Sequence, residues 1–177
     1  SLASVGDLDG DGVGDLVVGA YGDDTGGEDR EALHVLLLND DGTVKSSRKV
    51  ASGMNGGPSL ANGDLFGSSV ASVGDLNGDG VLDLAVGAYG DDTGGTDRGA
   101  VHVLFLISSG AVNEAPSFTK GSNVKTLGDA TVKTFAEWAT NLSAGPEEES
   151  DQTLDFLVTT TNAALFTVAP AISENGS

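Results

Sequence analysis

The sequence contains no cysteine, only 4 prolines, few aromatic residues (5%) and only 8 basic residues in a chain of 177. Without cysteine no disulfide can stabilise the fold, so an extracellular version of this chain needs another staple, and a metal ion is the obvious one. The chain has 27 acidic residues against these 8 basic ones. The resulting formal charge of −19 argues against nucleic acid and anionic membrane surfaces as partners, since both need basic patches. No apolar run is long enough to span a bilayer, so we expect no membrane insertion.

What the chain has in quantity is glycine, with 27 residues, and short aliphatic segments separated by Gly, Asp and Asn. Many short strands between such turns are typical of an all-β protein. The chain also repeats itself: residues 1–38 and 69–106 agree at 30 of 38 positions, which gives a period of 68. A repeat of this length indicates similar supersecondary units, each burying one face against the next.

The strand pattern of one unit predicts a four-stranded sheet. In the second copy we predict strands at 68–76, 84–90 and 99–106, and the polar segment 43–51 of the first copy predicts a fourth, edge strand. Four strands correspond to one blade of a β-propeller. We therefore predict a first domain at 1–110, made of repeats 1–66 and 67–110.

The pattern changes after residue 110. Alternating segments at 131–139, 152–160 and 164–172 predict further strands, with Trp138 in a small core. We interpret 111–177 as a second domain, a β-sandwich that is incomplete at this length. Because two blades do not close a propeller, the chain is expected to be either a fragment of a longer repeat protein or a subunit whose neighbours complete its open edges.

The segments "DLDGDGVGD" (7–15) and "DLNGDGVLD" (75–83) place oxygen-bearing side chains at positions 1, 3, 5 and 9 of a loop. Such side chains, with the backbone carbonyl of position 7, form an oxygen cage of the kind that calcium prefers, and magnesium fits less well. Position 12 is a valine in a buried strand, so the loop joins two strands and is not the helical type of calcium site. The alternative is a solvated, metal-free turn. The predicted ligands are Asp7, Asp9, Asp11, Val13, Asp15, Asp75, Asn77, Asp79, Val81 and Asp83.

A second acidic turn follows in each copy and could hold another cation. The alternative is a solvated turn in which Arg30 or Arg98 pairs with the carboxylates. The candidate residues are Asp23, Asp24, Asp29, Asp91, Asp92 and Asp97.

The two copies resemble the FG-GAP repeat of integrin alpha chains and of many secreted bacterial proteins. Phe66-Gly67 matches the first mark of that repeat, and Gly87-Ala88-Tyr89 matches the second with tyrosine in place of proline; 19–21 repeats it. The resemblance covers residues 1–110 and implies a calcium-stabilised propeller blade used in extracellular adhesion and ligand binding. The segment "NEAPSFT" (113–119) resembles the opening of bacterial cadherin-like and immunoglobulin-like domains.

No catalytic motif stands out: the chain has no G-x-S-x-G, no cysteine nucleophile and no phosphate-binding glycine loop. We therefore expect a protein that is not an enzyme. The function that we predict is an extracellular, calcium-binding structural or adhesive module of a bacterial surface or secreted protein. It would assemble head to tail into a filament, or bind other extracellular proteins or glycans. The alternative is a ligand-binding propeller domain, for carbohydrate or protein, accessory to a secreted hydrolase.

Overall fold

The computed structural model describes residues 1–96, 98–124, 133–150, 152–162, 164 and 166–177. Within these ranges the chain forms nine β-strands, a 3₁₀ turn at Glu147–Glu149 and no α-helix. All strand pairs are antiparallel, so the all-β prediction is confirmed. The strands are β1 Leu2–Gly6, β2 Asp15–Ala20, β3 Ala32–Leu38, β4 Val44–Ala51, β5 Phe66–Gly74, β6 Asp83–Ala88, β7 Ala100–Leu104, β8 Ser117–Lys120 and β9 Ala139–Ser143.

The strands form three sheets in simple sequential order. Sheet A is β1-β2-β3-β4, sheet B is β5-β6-β7, and β8 pairs with β9 in a two-stranded sheet. After β7 the described chain continues the pattern only as an isolated pairing of Leu106 with Val112. The first repeat therefore has the four strands predicted, whereas the described residues of the second repeat have three.

The chain divides into two compact units, Ser1–Asn113 and Glu114–Ser177. The domain limits inferred from the sequence, 1–110 and 111–177, stay predictions. In the second unit the strand predicted at 152–160 is absent from the described residues, and Leu157 is almost fully exposed. Trp138 is half-buried and its indole Nε1 donates to the Ser122 carbonyl at 2.9 Å. The described residues thus contain a two-stranded sheet and not the predicted β-sandwich.

Sheets A and B of the first unit share one hydrophobic core. Alternate residues of sheet A supply one side of this core: Val5, Val17, Leu33, Val35 and Leu37. Sheet B, with Leu106 just after β7, supplies the other side of this core. Its residues there are Phe66, Leu84, Val86, Leu104 and Leu106. Burying a valine or leucine side chain contributes about 1.5–3 kcal/mol, so this shared core is what holds the two repeats together.

The two sheets stack in the same orientation, so that opposite faces of the repeated unit meet in the core. Each residue on the buried face of sheet A has an equivalent in sheet B, 68 positions further along the chain. These equivalents lie on the face of sheet B that points away from the core. Val101 and Val103 are 70% and 47% exposed, whereas their equivalents Leu33 and Val35 are at most 1% exposed. We call this surface the outer face of sheet B, and its members are Val73, Ala85, Val101, Val103 and Phe105.

The Phe66-Gly67 pair lies where β5 closely approaches β2 of the other sheet. Phe66 is fully buried in the shared core. A Cβ atom added at Gly19 would lie 2.1 Å from the Gly67 carbonyl oxygen, so that position of β2 accepts only glycine without movement of the backbone. Ser1 also donates its hydroxyl to the Gly67 carbonyl at 2.7 Å. The first mark of the repeat therefore sets the spacing between sheets.

Candidate metal centre

Two acidic loops join the first and second strands of the two sheets. Loop 1 (7–15) connects β1 to β2, and loop 2 (75–83) connects β5 to β6. Each loop curls through two glycines with φ between +78° and +89°, a conformation that strains residues with a Cβ. These glycines are Gly10, Gly12, Gly78 and Gly80.

The aspartate at position 1 organises the curl of each loop. Asp7 accepts hydrogen bonds from the backbone N–H groups of Gly10 at 2.8 Å, Asp11 at 3.0 Å and Gly12 at 2.8 Å. Asp75 accepts the three equivalent bonds, at 2.6, 3.2 and 2.9 Å. Bonds from backbone N–H groups, that of Gly80 first, lower the pKa of Asp75 below its ordinary value. The carboxylate is therefore held in its charged form, which is the form that binds a cation.

The aspartate at position 9 is a buried anchor. Asp15 is fully buried, and its two oxygens accept the N–H groups of Leu8 at 2.8 Å and Leu38 at 2.9 Å. In loop 2, Asp83 is also fully buried and accepts the N–H groups of Leu76 at 2.7 Å and Leu106 at 3.2 Å. Each carboxylate thus ties the start of its loop to the chain at the third strand of its repeat, at the last residue of β3 or two residues after β7.

The side chains at positions 3 and 5 make short-range turns. In loop 1, Asp9 accepts the Asp11 N–H at 3.3 Å, and Asp11 accepts the Val13 N–H at 2.9 Å. In loop 2 the corresponding distances are 3.1 Å for Asn77 and 2.8 Å for Asp79. Each bond uses one oxygen of the side chain and leaves further acceptor capacity. The predicted carbonyl ligands of Val13 and Val81 stay predictions.

In loop 1 the carboxylates converge. One oxygen from each of Asp7, Asp9 and Asp15 lies within 4.8 Å of the other two. The Lys45 ammonium, reaching from β4, lies 2.7 Å from Asp9 Oδ2 and 2.8 Å from Asp11 Oδ2. Its hydrogen bond to Asp11 lowers the pKa of that carboxyl group, and the two carboxylates raise the pKa of Lys45. The Lys45 ammonium is therefore a cation already bound to loop 1. The all-oxygen donor set of the loop also suits a hard metal ion.

The second acidic turn has its own internal cation in the first repeat. Lys49 lies 2.6 Å from Asp23, which also accepts the Thr25 N–H at 2.9 Å. The Lys49 bond, together with bonds from Thr25, lowers the pKa of Asp23 to about 2. Arg30, the partner expected from the sequence, instead donates to Asn62 at 2.8 Å.

The other described candidates of this turn have different contacts. Asp24 accepts the N–H of Asp29, which has a φ of +51°. Asp91 is buried, accepts the Thr93 N–H at 2.7 Å and lies 3.7 Å from His102. A metal role for Asp92 stays a prediction, and Asp97 lies outside the described residues.

The sequence does not assign the basic residues of β4 to the site. Segment 43–51 predicts only a polar edge strand, and 36 residues separate Lys45 from Asp9. A comparison of the two copies could have indicated Lys45. Asp9 of the first copy is replaced by Asn77 in the second, and Lys45 of the first copy is replaced by Asn113. The additional acidic residue and the additional basic residue thus occur in the same copy.

Comparison with known proteins agrees with the repeat. The FG-GAP repeat family matches residues 1–36 and 66–104. The chain is 39% identical over 94 residues to integrin alpha-5 of Xenopus laevis, which covers 52% of this chain and 8% of that protein. It is 38% identical over 112 residues to integrin alpha-PS5 of Drosophila melanogaster, which covers 63% of this chain and 10% of that protein. The chain thus spans about a tenth of the length of these relatives, and two of its segments match the FG-GAP repeat. A bacterial type and a cadherin- or immunoglobulin-like second domain stay predictions.

Proposed function

We propose that the first unit is a calcium-binding, propeller-type module, and that loops 1 and 2 are its calcium sites. The observation that carries the proposal is the repeated donor set. Each loop has an aspartate held by three backbone N–H groups, a buried aspartate at its end, and side-chain oxygens between them. When bound, calcium would neutralise carboxylates that otherwise repel one another. We further propose that the module works outside the cell or at its surface and is not an enzyme.

Calcium titration of the chelator-treated chain tests this proposal. Isothermal titration calorimetry should detect two sites, both weaker for magnesium, because magnesium demands a regular octahedral geometry. Calcium at about 100 times its Kd adds ~2.7 kcal/mol of stability for each site. The melting temperature of the first unit should therefore rise by more than ~10 °C. Identical melting curves in calcium and in chelator would contradict the proposal.

The outer face of sheet B supports a second proposal, that the module docks another sheet of its own type. Its residues Val101, Val103 and Phe105 repeat a face that sheet A buries against sheet B. β7 is also the last strand of sheet B in the described part of the chain. A further FG-GAP sheet is the occupant that this geometry favours, and in a solution of this chain alone it would come from a second copy. Repeated head-to-tail docking of this kind produces filaments when the rotation does not close.

Sedimentation velocity at rising protein concentration tests the docking proposal. We expect large species in calcium, fewer in chelator, and none when Val103→Asp places a charge on the outer face. Val44→Asp is the matched control, because Val44 is also an exposed strand valine but lies on sheet A. A monomer at all concentrations, or equal loss of assembly in both variants, would contradict docking through this face.

Ligand binding is a further candidate, favoured by a repeated aromatic residue. Tyr21 and Tyr89 are equivalent residues and are 91% and 70% exposed at the ends of β2 and β6. Exposed aromatic side chains are enriched at sites that bind proteins, because they offer large contact areas. Binding of this chain to immobilised extracellular proteins or glycans, lost in Tyr21→Ala and Tyr89→Ala variants, would support that function.

A further inference from the structure

The hairpin turns after the third strand make equivalent hydrogen bonds in the two repeats. In the first repeat, Asn39 N donates to Thr43 O at 2.8 Å, and Gly42 N donates to Asn39 O at 2.9 Å. The second repeat makes the same two bonds, from Ile107 at 2.9 Å and from Gly110 at 2.8 Å. The residue pairs that close the hairpins also correspond, Leu38 with Val44 and Leu106 with Val112. The next residues, Lys45 and Asn113, therefore occupy equivalent places.

Two charge differences between the repeats meet at loop 1. Loop 1 has Asp9 where loop 2 has Asn77, and the first repeat has Lys45 where the second has Asn113. Lys45 and Asp9 are in contact at 2.7 Å, with the Asp9 side chain 16% exposed. Four carboxylates and one ammonium give loop 1 a formal charge of −3, and the three carboxylates of loop 2 give the same charge. The lysine thus offsets the additional carboxylate.

We propose that Lys45 is a tethered competitor of calcium at loop 1, which lowers the calcium affinity that the additional carboxylate of Asp9 would otherwise confer. This inference rests on the proposed function, because it needs calcium to bind loop 1. The Lys45 Nζ lies within hydrogen-bond distance of two predicted ligands, Asp9 and Asp11. A calcium ion bound by the same oxygens requires the ammonium to leave, since two cations cannot share that place.

Loop-resolved titration by NMR tests this proposal on the whole chain. The amide signals of Gly12 and Gly80 report on loops 1 and 2 separately, because each N–H donates to the position 1 aspartate of its own loop, at 2.8 and 2.9 Å. Calcium is added to the chelator-treated wild type and to Lys45→Met, which removes the charge and keeps the aliphatic stem. Lys49→Met is the matched control, because it removes an equal charge from the same strand at a residue that contacts Asp23 instead.

An exposed ion pair changes an equilibrium constant by at most about fivefold. Lys45 makes two such pairs, so Lys45→Met should tighten the Kd of loop 1 by roughly 3- to 25-fold and leave loop 2 unchanged. Lys49→Met should change neither Kd by more than about twofold. Adding Asp9→Asn to Lys45→Met recreates the charges of loop 2, and should return the Kd of loop 1 to within about threefold of that of loop 2.

The outcomes separate this inference from the proposed function. If loop 2 binds calcium normally while Lys45→Met leaves loop 1 unchanged or weaker, the competitor role is wrong and the proposed function stands. Equal tightening of loop 1 by Lys45→Met and Lys49→Met also overturns the competitor role, because it reflects net charge alone. Failure of both loops to bind calcium in every variant overturns the proposed function and this inference with it.

Discussion

Replacement of Asp83 by asparagine tests whether position 9 anchors the fold independently of metal. Both oxygens of the buried Asp83 carboxylate accept backbone N–H groups, from Leu76 at 2.7 Å and Leu106 at 3.2 Å. An amide offers one oxygen, so in Asp83→Asn one of these N–H groups faces an NH₂ group instead of an acceptor. Losing a hydrogen bond to a charged group and leaving a buried donor unsatisfied together cost about 2–4 kcal/mol.

The measurement is thermal and urea unfolding in excess chelator, where calcium contributes nothing. At about 4 °C for each kcal/mol, Asp83→Asn should lower the melting temperature of the first unit by ~8–16 °C. Asp79→Asn is the matched control. Asp79 is exposed and its oxygen accepts the Val81 N–H at 2.8 Å, a bond that an amide oxygen can keep. This control should lose less than ~1 kcal/mol in chelator and should lose most of the stabilisation that calcium adds at loop 2.

Two results would refute this reasoning. If Asp83→Asn and the wild type have the same melting temperature in chelator and different ones only in calcium, Asp83 acts as a calcium ligand and does not anchor the fold. If Asp83→Asn and Asp79→Asn lose equal stability in chelator, the distinction between a buried and an exposed loop carboxylate is wrong.

Two further predictions concern the contacts around the loops. Because Lys49 holds the pKa of Asp23 at about 2, below its ordinary 3.8, the pair stabilises the fold fully above about pH 4 and loses this effect as pH falls towards 2. Lys49→Met should therefore cost about 1 kcal/mol at pH 7 and close to nothing at pH 2 by urea unfolding, whereas a gap that stays constant with pH would contradict the pair. Gly19→Ala should lower the free energy of unfolding by about 2–3 kcal/mol, because its Cβ would lie 2.1 Å from the Gly67 carbonyl oxygen. Gly14→Ala should be nearly neutral, because nothing lies within 4 Å of a Cβ added there. Equal melting temperatures of the two variants would refute the close approach at Gly19.

The local features of the first unit could be predicted because they repeat and because they depend on near neighbours. Glycines at fixed points of an acidic loop and alternating aliphatic residues after it predict a turn between strands, and β1, β2, β5 and β6 flank loops 1 and 2 as expected. Alternation alone was not sufficient at 152–160, where Leu157 is 95% exposed. A strand needs a paired neighbour, and an alternating sequence cannot show whether the fold supplies one.

Lys45 could not be placed from the sequence because its position depends on a register. Its ammonium reaches loop 1 only because β4 pairs with β3, with Leu38 opposite Val44, which brings the start of β4 beside that loop. The register of a strand pair is set by the turn and by the buried faces together. The turn at 39–43 lies next to Lys45 in the sequence, but the residues around Lys45 do not show which faces are buried. Comparison of the two copies at Asp9 and Lys45 indicates a coupled pair, but only the structure shows that they touch.

The burial of equivalent residues in the two repeats also could not be predicted from the local sequence. Val35 and Val103 have the same residue type, the same strand position and nearly the same neighbours in sequence, yet Val35 is 1% exposed and Val103 is 47% exposed. Local sequence therefore determines which side of a strand is apolar, whereas a second sheet determines whether that side is buried. Sheet A is covered by sheet B, which belongs to the next repeat. The outer face of sheet B has the same kind of residues in the same strand positions as the covered face of sheet A. The surface most suited to cover it is therefore the face of a further repeat that carries the counterparts of Phe66, Leu84 and Val86.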